Sequence, residues 1–335
     1  MMHFKVGEIN KRFGKKEVLS NISFGMNKGE IIALMGESGC GKSTLLRIIA
    51  GFESADAGAI FLNNKEIQNM VPHKRKIGMF FQDYALFPHM TVFENIAYGI
   101  RSQSNFESKV KELVGMCELD GLENVYPHEI SGGQKQRVAL ARALAPDPDI
   151  LLLDEPFSNI DTILRENLRL ELKRMLKGRD MSVIIVSHDI EDALVLADKA
   201  VILHEGIIIQ EGDIRELYEK PSNDFVAQFV GDVNILEGLQ TGNGLKIGEA
   251  ILQCKIKDAE SEKIRLAVRP ENISLFPGIE TSSNYKIKQI IFKRSYSVVE
   301  LEQGGNKVLV HLSNSNDWSE GDYCQLAIEA YHILK

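Results

Sequence analysis

The chain has 335 residues, of which 44% are hydrophobic, so it is long enough for one large domain and a smaller one. Its formal net charge of −8 argues against a nucleic-acid binder that depends on bulk positive charge. The dispersed cysteines (Cys40, Cys117, Cys254 and Cys324) predict reduced thiols in a cytosolic protein, not a disulfide framework or a zinc site. Apolar runs too short to span a bilayer and the absence of a signal-peptide pattern predict a soluble chain, whose membrane role would need a partner.

The first part of the chain alternates short apolar runs with turns, which predicts strands. The runs are Phe4 to Ile9, Val18 to Phe24 and Ile31 to Met35. Phe13 lies in the polar loop between the first two runs. Its ring either stacks on an adenine base or anchors the loop on a sheet, and the local sequence leaves both interpretations open.

A glycine-rich loop follows the third run and leads into the helical sequence 45–50. Its residues are Gly36, Glu37, Ser38, Gly39, Cys40, Gly41, Lys42, Ser43 and Thr44, in the pattern G-x-x-x-x-G-K-[ST]. Strand, turn and helix are the context in which this pattern binds phosphate, because glycines let backbone N–H groups turn inward and the helix N-terminus adds positive charge. Lys42 is expected to reach the β- and γ-phosphates of a nucleotide, and the Ser43 hydroxyl to bind Mg²⁺.

After a run at 58–62 and a polar stretch, Gln82 ends a β-like run that starts at Lys76. An amide there can bind Mg²⁺ or hold an attacking water through its carbonyl oxygen. A lone glutamine after a strand is otherwise an ordinary surface residue. Residues 91–126 then show helical, amphipathic periodicity with a polar insert around 102–108.

A second glycine-rich helix start occurs ahead of the helical run 137–144. Its residues are Ser131, Gly132, Gly133 and Gln134. Exposed N–H groups and a hydroxyl make it a second anion site, although a serine N-cap is the simpler local interpretation. Two such helix ends and a single loop lysine suggest that the second end serves a nucleotide held by another copy of the chain.

Two further apolar runs end on residues that can carry chemistry. Ile150 to Leu153 is typical of a central parallel strand and closes on Asp154 and Glu155, at the edge where such sheets bind ligands. Asp154 is expected to hold Mg²⁺ through water, and Glu155 to polarise the attacking water. Residues 181–186 predict another buried strand and lead to His188, which is either structural or close to a γ-phosphate and Glu155.

The rest of the chain changes character after about Val233. Before it, residues 158–161 open a charged amphipathic helix, and residues 201–210 predict a hairpin around Glu205 and Gly206. After it, short β-type runs separated by turn residues predict a small barrel, a binding or regulatory module without a catalytic cluster. Examples of these runs are 251–256, 264–268, 286–292, 297–301, 307–312 and 323–328. We therefore expect a first domain at 1–232 and a β-rich domain at 233–335.

Together these motifs resemble the ATP-binding subunits of ABC transporters. The matching segments are the glycine-rich loop (Walker A), Gln82 (Q-loop), 130–134 (signature), 151–155 (Walker B with its glutamate), 158–161 (D-loop) and His188 (switch histidine). The signature is the specific element, because few other P-loop proteins carry it. The resemblance covers about residues 4–231, with Phe13 where tyrosine is frequent and Ile130 where leucine is usual.

The resemblance implies an α/β P-loop ABC ATPase domain, a mixed sheet with a helical subdomain at about 84–145, followed by a small OB-like β-barrel. It implies ATP hydrolysis with Mg²⁺. The implied catalytic residues are Glu155, His188 and Lys42; the implied ATP contacts are Phe13, residues 36–44 and Gln82; and the implied Mg²⁺ ligands are Ser43, Gln82 and Asp154.

The resemblance also implies partners. In a head-to-tail homodimer, the signature and D-loop of one chain contact the ATP of the other through Ser131, Gly132, Gly133, Gln134 and Asp161. Integral-membrane permease subunits would bind around residues 84–98, and an extracytoplasmic solute-binding protein would act indirectly. The chain would then lie peripherally on the cytoplasmic face of the inner membrane, without nucleic acid.

The C-terminal segment Ala267 to Ile273 is similar to the barrel extension of importer ATPases for sugars, polyamines, sulfate and ferric ion. Within this group, residues 86–92 and 143–148 look closest to ferric-ion importers, so ferric ion is the expected solute. Polyamine is the alternative, followed by sulfate or molybdate and sugar. A non-transport ABC ATPase would carry a long coiled-coil insertion or a second cassette, and a non-hydrolysing regulatory module is opposed by Glu155 and His188.

Overall fold

The computed structural model of the chain describes residues 2–158, 162–176, 180–241, 244–254 and 263–334. The internal contacts divide the chain into two compact units, residues 1–214 and 215–335. The first unit combines strands and helices, whereas the second is built mainly from strands.

The N-terminal unit alternates strands with helices along the chain. Its strands are β1 (Phe4–Phe13), β2 (Lys16–Met26), β3 (Ile31–Gly36), β4 (Ala57–Leu62), β5 (Lys65–Glu66), β6 (Ile77–Phe80), β7 (Ile150–Asp154), β8 (Ser182–Ser187), β9 (Lys199–His204) and β10 (Ile207–Gly212). Its helices are α1 (Lys42–Ala50), α2 (Val92–Ala97), α3 (Phe106–Met116), α4 (Gly132–Leu144), α5 (Thr162–Leu176) and α6 (Ile190–Leu196).

The strands of this unit form two sheets. One is antiparallel, in the order β2-β1-β4-β5, and the other has the order β10-β9-β3-β8-β7-β6. In the second sheet every pair from β9 to β6 is parallel, and only β10 pairs antiparallel, as the expected hairpin. Apolar side chains of both sheets and of α1, such as Ile9, Leu34 and Leu45, form one buried core.

The parallel pairing brings the predicted motifs to one edge. Met35 pairs with Ser187, and Asp154 pairs with Val186, so β3, β8 and β7 end at the same level. Strands β7 and β8 are buried along their whole length, as expected of parallel strands covered on both faces. The glycine-rich loop, His188, Glu155 and Gln82 therefore follow four neighbouring strands at one edge of the sheet.

The helical segment at 84–145 contains α2, α3 and α4, which contact one another. The expected helical stretch at 91–126 is divided into two helices. The first begins at a capping box, in which Thr91 and Glu94 bond to each other's backbone N–H groups, and it ends before the polar insert. Among the described residues, no helix is long and apolar enough to cross a membrane.

The C-terminal unit is rich in strands. They are β11 (Asn234–Thr241), β12 (Gly244–Ile247), β13 (Ala250–Gln253), β14 (Lys263–Val268), β15 (Ile273–Pro277), β16 (Tyr285–Phe292), β17 (Tyr296–Gln303), β18 (Asn306–Ser313), β19 (Tyr323–Ile328) and β20 (His332–Leu334). The helices α7 (Ile214–Glu219) and α8 (Asp224–Phe229) precede these strands.

These strands form one sheet in the order β18-β17-β16-β19-β13-β12-β11-β14-β20, with β15 paired to β19. Buried side chains including Leu245, Leu266, Tyr285 and Val310 make up its core. The strand-rich fold is consistent with the expected OB-like domain. The β-type runs given as examples correspond to β13, β14 and β16 to β19. Residues 255–256 of the run at 251–256 lie outside the described residues.

The division by contacts falls at residue 214, earlier than the domain boundary expected after residue 232. The reason is that α7 and α8 pack with the C-terminal strands. The guanidinium of Arg269 donates to the carbonyl oxygens of Tyr218 at 2.8 Å and Ala227 at 2.9 Å, and Ala227 packs with Leu334. The division into domains 1–232 and 233–335 stays a prediction.

Helix α1, which starts at the glycine-rich loop, is held at its other end by Arg75. Arg75 is 3% exposed, so its guanidinium is buried against the helix terminus. Its hydrogen bonds, 2.5–2.8 Å long, go to the carbonyl oxygens of Ile48, Ile49, Gln68 and Met70. Arg75 thereby supplies a donor to the Ile49 carbonyl near the helix terminus and a second donor to that of Ile48, which also accepts the N–H of Gly51 at 3.2 Å.

The variant Arg75→Ala should lower the free energy of unfolding by about 2 kcal/mol, because buried carbonyl oxygens lose their donors. Urea denaturation followed by circular dichroism measures this change. Lys74→Ala is the matched control, because the Lys74 side chain is exposed. Equal unfolding midpoints for the two variants would contradict the role given to Arg75.

Candidate functional site

The glycine-rich loop runs from the end of β3 to the start of α1. At two of its positions a side chain would clash with neighbouring atoms, so only glycine fits. Gly36 has φ +148°, and a Cβ there would lie 2.2 Å from the Leu203 carbonyl oxygen. Gly41 has φ +111°, and a Cβ there would lie 2.6 Å from Leu19 Cδ2. No side chain caps the N-terminus of α1. The loop therefore keeps the backbone geometry and the helix end that bind phosphate.

Lys42 places a buried positive charge inside this loop. The side chain is 5% exposed, and Nζ donates to the carbonyl oxygens of Gly36 at 2.7 Å and Glu37 at 2.8 Å. Nζ also lies 3.8 Å from the sulfur of Cys40. Within the rest of the loop, Glu37, Ser38 and Gly39 are exposed, and Ser43 and Thr44 are half-buried.

Asp154, at the end of β7, faces the start of α1. The Ser43 hydroxyl lies 3.5 Å from Asp154 Oδ1. Burial raises the pKa of Asp154 and the neighbouring Glu155 raises it further, while Arg47 is the strongest opposing influence. The pair offers a hydroxyl and a carboxylate, the oxygen donors that Mg²⁺ prefers.

Glu155, Gln82 and His188 meet at the same sheet edge. Gln82 Nε2 donates to Glu155 Oε2 at 3.2 Å, and His188 Nδ1 lies 3.8 Å from the same oxygen. Glu155 has φ +44°, and its N–H donates to the Val186 carbonyl oxygen at 3.1 Å. A positive φ is uncommon for a glutamate, so the local fold holds this carboxylate in a strained backbone position.

The second glycine-rich helix start shows the contacts of an N-cap. The N–H of Gln134 donates to Ser131 Oγ at 3.3 Å, and the N–H of Ser131 donates to Gln134 Oε1 at 2.8 Å. Ser131 and Gly132 are exposed, and a Cβ on Gly132 or Gly133 would meet open space. Within one chain these residues cap α4 and present its N-terminus outward. Asp161 lies outside the described residues.

Phe13, the candidate base-stacking residue, occupies the last position of β1. Its side chain is 49% exposed, so part of the ring is accessible to a ligand. The ammonium of Lys11 lies 4.9 Å from the centre of the ring. Exposure of a large aromatic ring agrees with base stacking better than with anchoring of the loop.

Sequence reasoning missed two residues of α4 that hold segments of the site. Gln136 Nε2 donates to the Pro156 carbonyl oxygen at 3.0 Å, directly after Glu155. Arg142 donates to the carbonyl oxygens of Tyr84 at 2.8 Å and Ala85 at 2.7 Å, in the loop that follows Gln82. Gln136 was recognisable as a polar residue in the apolar stripe of α4, whereas no sequence signal marks Arg142.

Comparison with known proteins places this geometry in a family. The chain matches the family model "ABC transporter" over residues 19–158. It is 39% identical to the spermidine/putrescine import ATP-binding protein PotA of Aliivibrio fischeri, over 93% of this chain and 89% of that protein. It is 40% identical to the sulfate/thiosulfate import ATP-binding protein CysA of Methylococcus capsulatus, over 94% of this chain and 93% of that protein.

The chain is also similar to an ATP-binding cassette of known structure. The dimeric ATP-binding cassette MJ0796, in a post-hydrolysis state bound to ADP and Pi, superposes with a TM-score of 0.57 at 30% identity. The match covers 63% of this chain and 99% of that chain.

The site and the fold therefore define a P-loop ATPase that binds ATP. The chain belongs to the ATP-binding proteins of ABC transporters, in the importer group. The predicted fold class and ATPase activity are confirmed. The ferric-ion assignment is not supported, because these relatives are named for polyamine and for sulfate or thiosulfate import.

The variant Asp154→Asn should raise the melting temperature of the nucleotide-free protein near neutral pH and abolish its ATPase activity. A raised pKa means that folding disfavours the ionised carboxylate. The gain should therefore shrink as the pH falls toward the pKa of Asp154, where the wild-type carboxyl is protonated. Differential scanning calorimetry at several pH values measures the effect.

Asp120→Asn is the control for this variant, because Asp120 is exposed and its replacement should leave the melting temperature unchanged. A lower melting temperature for Asp154→Asn, or a gain independent of pH, would contradict the electrostatic account of Asp154.

Proposed function

We propose that this chain is the ATP-hydrolysing subunit of an ABC importer complex and works as a homodimer. The observation that carries the proposal is the cluster at Glu155, where one carboxylate oxygen faces both Gln82 and His188. The pair Ser43 and Asp154 lies at the same sheet edge. A carboxylate held beside a metal-binding pair and a phosphate-binding loop is suited to hydrolysis of a phosphoanhydride.

ATP would be bound by the exposed ring of Phe13 and by the glycine-rich loop. The ring would supply a face for the base, and the N–H groups of the loop and the N-terminus of α1 would attract the phosphates. The ammonium of Lys42, which bonds to carbonyl oxygens of its own loop, would exchange these contacts for the β- and γ-phosphates. Each of these interactions uses the phosphates or the base, so the site is suited to a nucleoside triphosphate.

The donor set fits Mg²⁺. The Ser43 hydroxyl would hold the ion directly, Asp154 through water, and Gln82 through its amide oxygen. When bound, the ion neutralises phosphate charge during transfer. A carboxylate whose pKa is raised by burial gains from a nearby cation, because the positive charge stabilises its ionised form.

Glu155 would orient the attacking water and draw on its proton as the oxygen approaches the γ-phosphorus. Gln82 donates to one oxygen of the Glu155 carboxylate at 3.2 Å, and His188 Nδ1 lies 3.8 Å from the same oxygen. Such orientation lowers the barrier by fixing the base before reaction begins. His188, which is half-exposed, would also reach the γ-phosphate.

The homodimer explains the second helix start. The N-terminus of α4, with Ser131, Gly132, Gly133 and Gln134, faces outward and would bind the γ-phosphate held by the other copy. Asp161 would reach the same interface. The dimeric state of the related cassette MJ0796 supports this arrangement. Because each site would need both chains, hydrolysis would be coupled to closure of the dimer.

Closure would drive integral-membrane permease subunits docked around residues 84–98. Two features support this surface. Tyr84 and Ala85 have φ of +64° and +43°, so the loop after Gln82 is strained. The exposed ring of Tyr98 lies 4.5 Å from the ring of Phe87, centre to centre, at a tilt of 42°. The chain would lie peripherally on the cytoplasmic face of the inner membrane, and an extracytoplasmic solute-binding protein would deliver the solute.

The proposed solute is a polyamine, with sulfate or thiosulfate second and the ferric ion expected from the sequence third. Polyamine is the solute on which two observations agree. Residues 86–92 and 143–148 resemble polyamine importers next after ferric-ion importers, and PotA is named for spermidine and putrescine import. The sulfate candidate rests on the equally similar CysA.

The variant Glu155→Gln should lower the ATPase rate at least about 100-fold while ATP still binds, because an amide cannot accept the proton of the water. The variant should persist as a dimer in ATP during size-exclusion chromatography, since the bound nucleotide is not consumed. Glu191→Gln is the matched control, because Glu191 is exposed at the start of α6. A variant that keeps its rate, or remains monomeric with ATP at high concentration, would argue against the mechanism.

Deletion of the gene should abolish uptake of radiolabelled spermidine and putrescine, and leave sulfate and ferric-ion uptake unchanged. Expression of the wild-type chain should restore uptake, whereas Glu155→Gln should not, because transport depends on hydrolysis. Loss of sulfate or ferric-ion uptake alone would replace the polyamine assignment. Normal uptake of all three solutes would reject it.

A further inference from the structure

Ion pairs with α5 hold the turn that carries His188. Arg169 donates from Nε to Asp192 Oδ1 at 2.5 Å and from Nη2 to Asp189 Oδ2 at 2.6 Å. Arg165 donates to the same Asp189 oxygen at 3.0 Å. The side chains of Arg169 and Asp192 are 9% and 5% exposed, so this part of the network is shielded from solvent.

The two aspartates fix the residues on both sides of His188. Ser187 donates from Oγ to Asp192 Oδ2 at 2.5 Å and accepts the N–H of Asp189 at 2.9 Å. Asp189 also caps α6, because its Oδ1 accepts the N–H of Glu191 at 2.9 Å. The backbone of His188 therefore lies between two anchored neighbours, while its imidazole is half-exposed and directed at Glu155.

We propose that Arg169 is a positioning residue for ATP hydrolysis, which acts by setting the place of the His188 imidazole relative to the Glu155 carboxylate. This inference rests on the proposed role of His188. Glu155 follows β7, and α5 is the next helix along the chain, whereas His188 follows β8. Arg169 thus ties the turn that carries His188 to the helix that follows Glu155 along the chain.

The contact between the His188 imidazole and the Glu155 carboxylate is sensitive to the position of the turn. Nδ1 of His188 lies 3.8 Å from Glu155 Oε2, at the outer limit of an ion pair and beyond an ordinary hydrogen bond. A small displacement of the turn would therefore remove the contact, whereas it would leave the glycine-rich loop and Lys42 in place. Loss of Arg169 should accordingly slow hydrolysis without weakening ATP binding.

A double-mutant cycle on the full chain tests the inference. Arg169→Ala should lower kcat about tenfold and change the KM for ATP less than about twofold. In the His188→Ala background, the same replacement should change kcat less than about twofold, because the group that Arg169 positions is already absent. A purely structural role would lower kcat by the same factor in both backgrounds.

Asp192→Asn is a second probe, because Arg169→Ala leaves a buried carboxylate unpaired and can impair folding. It keeps the shape of the side chain and should show the same dependence on His188 with a smaller loss of kcat. Arg174→Ala, an exposed arginine on the same helix, is the matched control and should leave kcat unchanged. Melting temperatures identify variants that have lost their fold.

The outcomes distinguish the positioning role of Arg169 from the proposed role of His188. If His188→Ala lowers kcat but Arg169→Ala and Asp192→Asn act equally in both backgrounds, the inference fails and the proposed mechanism stands. An increase in the KM for ATP as the main effect of Arg169→Ala would also overturn it. If His188→Ala leaves kcat unchanged, the proposed role of His188 fails, and the inference fails with it.

Discussion

The parallel pairing of β3, β8, β7 and β6 is the constraint on which the site depends. Parallel strands present their carboxyl ends at one edge, so residues far apart in sequence meet there without any special contact between them. The register of Met35 with Ser187 and of Asp154 with Val186 sets how far each following loop projects. A one-residue slip would exchange the side chains that a strand presents to its two faces and would disrupt their packing, so the hydrophobic core also fixes the geometry of the site.

The carboxylates that the chemistry of the site uses also destabilise the folded chain. Asp154 and Glu155 are adjacent carboxylates, and burial raises the pKa of the first. Glu155 is also held at positive φ. Charges and strain of this kind destabilise a folded chain, and they persist where the surroundings fix them. The well-packed core beneath them, from Ile9 on one sheet to Leu34 on the other, provides that support.

One segment, residues 215–232, lies in the first domain expected from the sequence but in the C-terminal unit by its contacts. Residues 215–232 continue the helical character of the first unit. Arg269 nevertheless ties them to the strands, because its guanidinium donates to backbone carbonyl oxygens of α7 and of the segment after α8. It also lies 3.9 Å over the ring of Tyr218. A single buried arginine can satisfy several helix-end carbonyl groups at once, as Arg75 does for α1.

The sequence by itself determined the features that depend on local order: the buried strands, the glycine-rich loop, and the residues that follow each strand, including Gln82, Glu155 and His188. Local spacing suffices there, because hydrophobic periodicity and turn chemistry are properties of short segments. The tertiary structure alone decided the polar contacts that hold these residues. Gln136 reaches Pro156, Arg142 reaches Tyr84, and Arg169 reaches Asp192 across separations of 20, 58 and 23 residues. Such pairs depend on how helices pack on the sheet, and no short segment of the sequence contains that information.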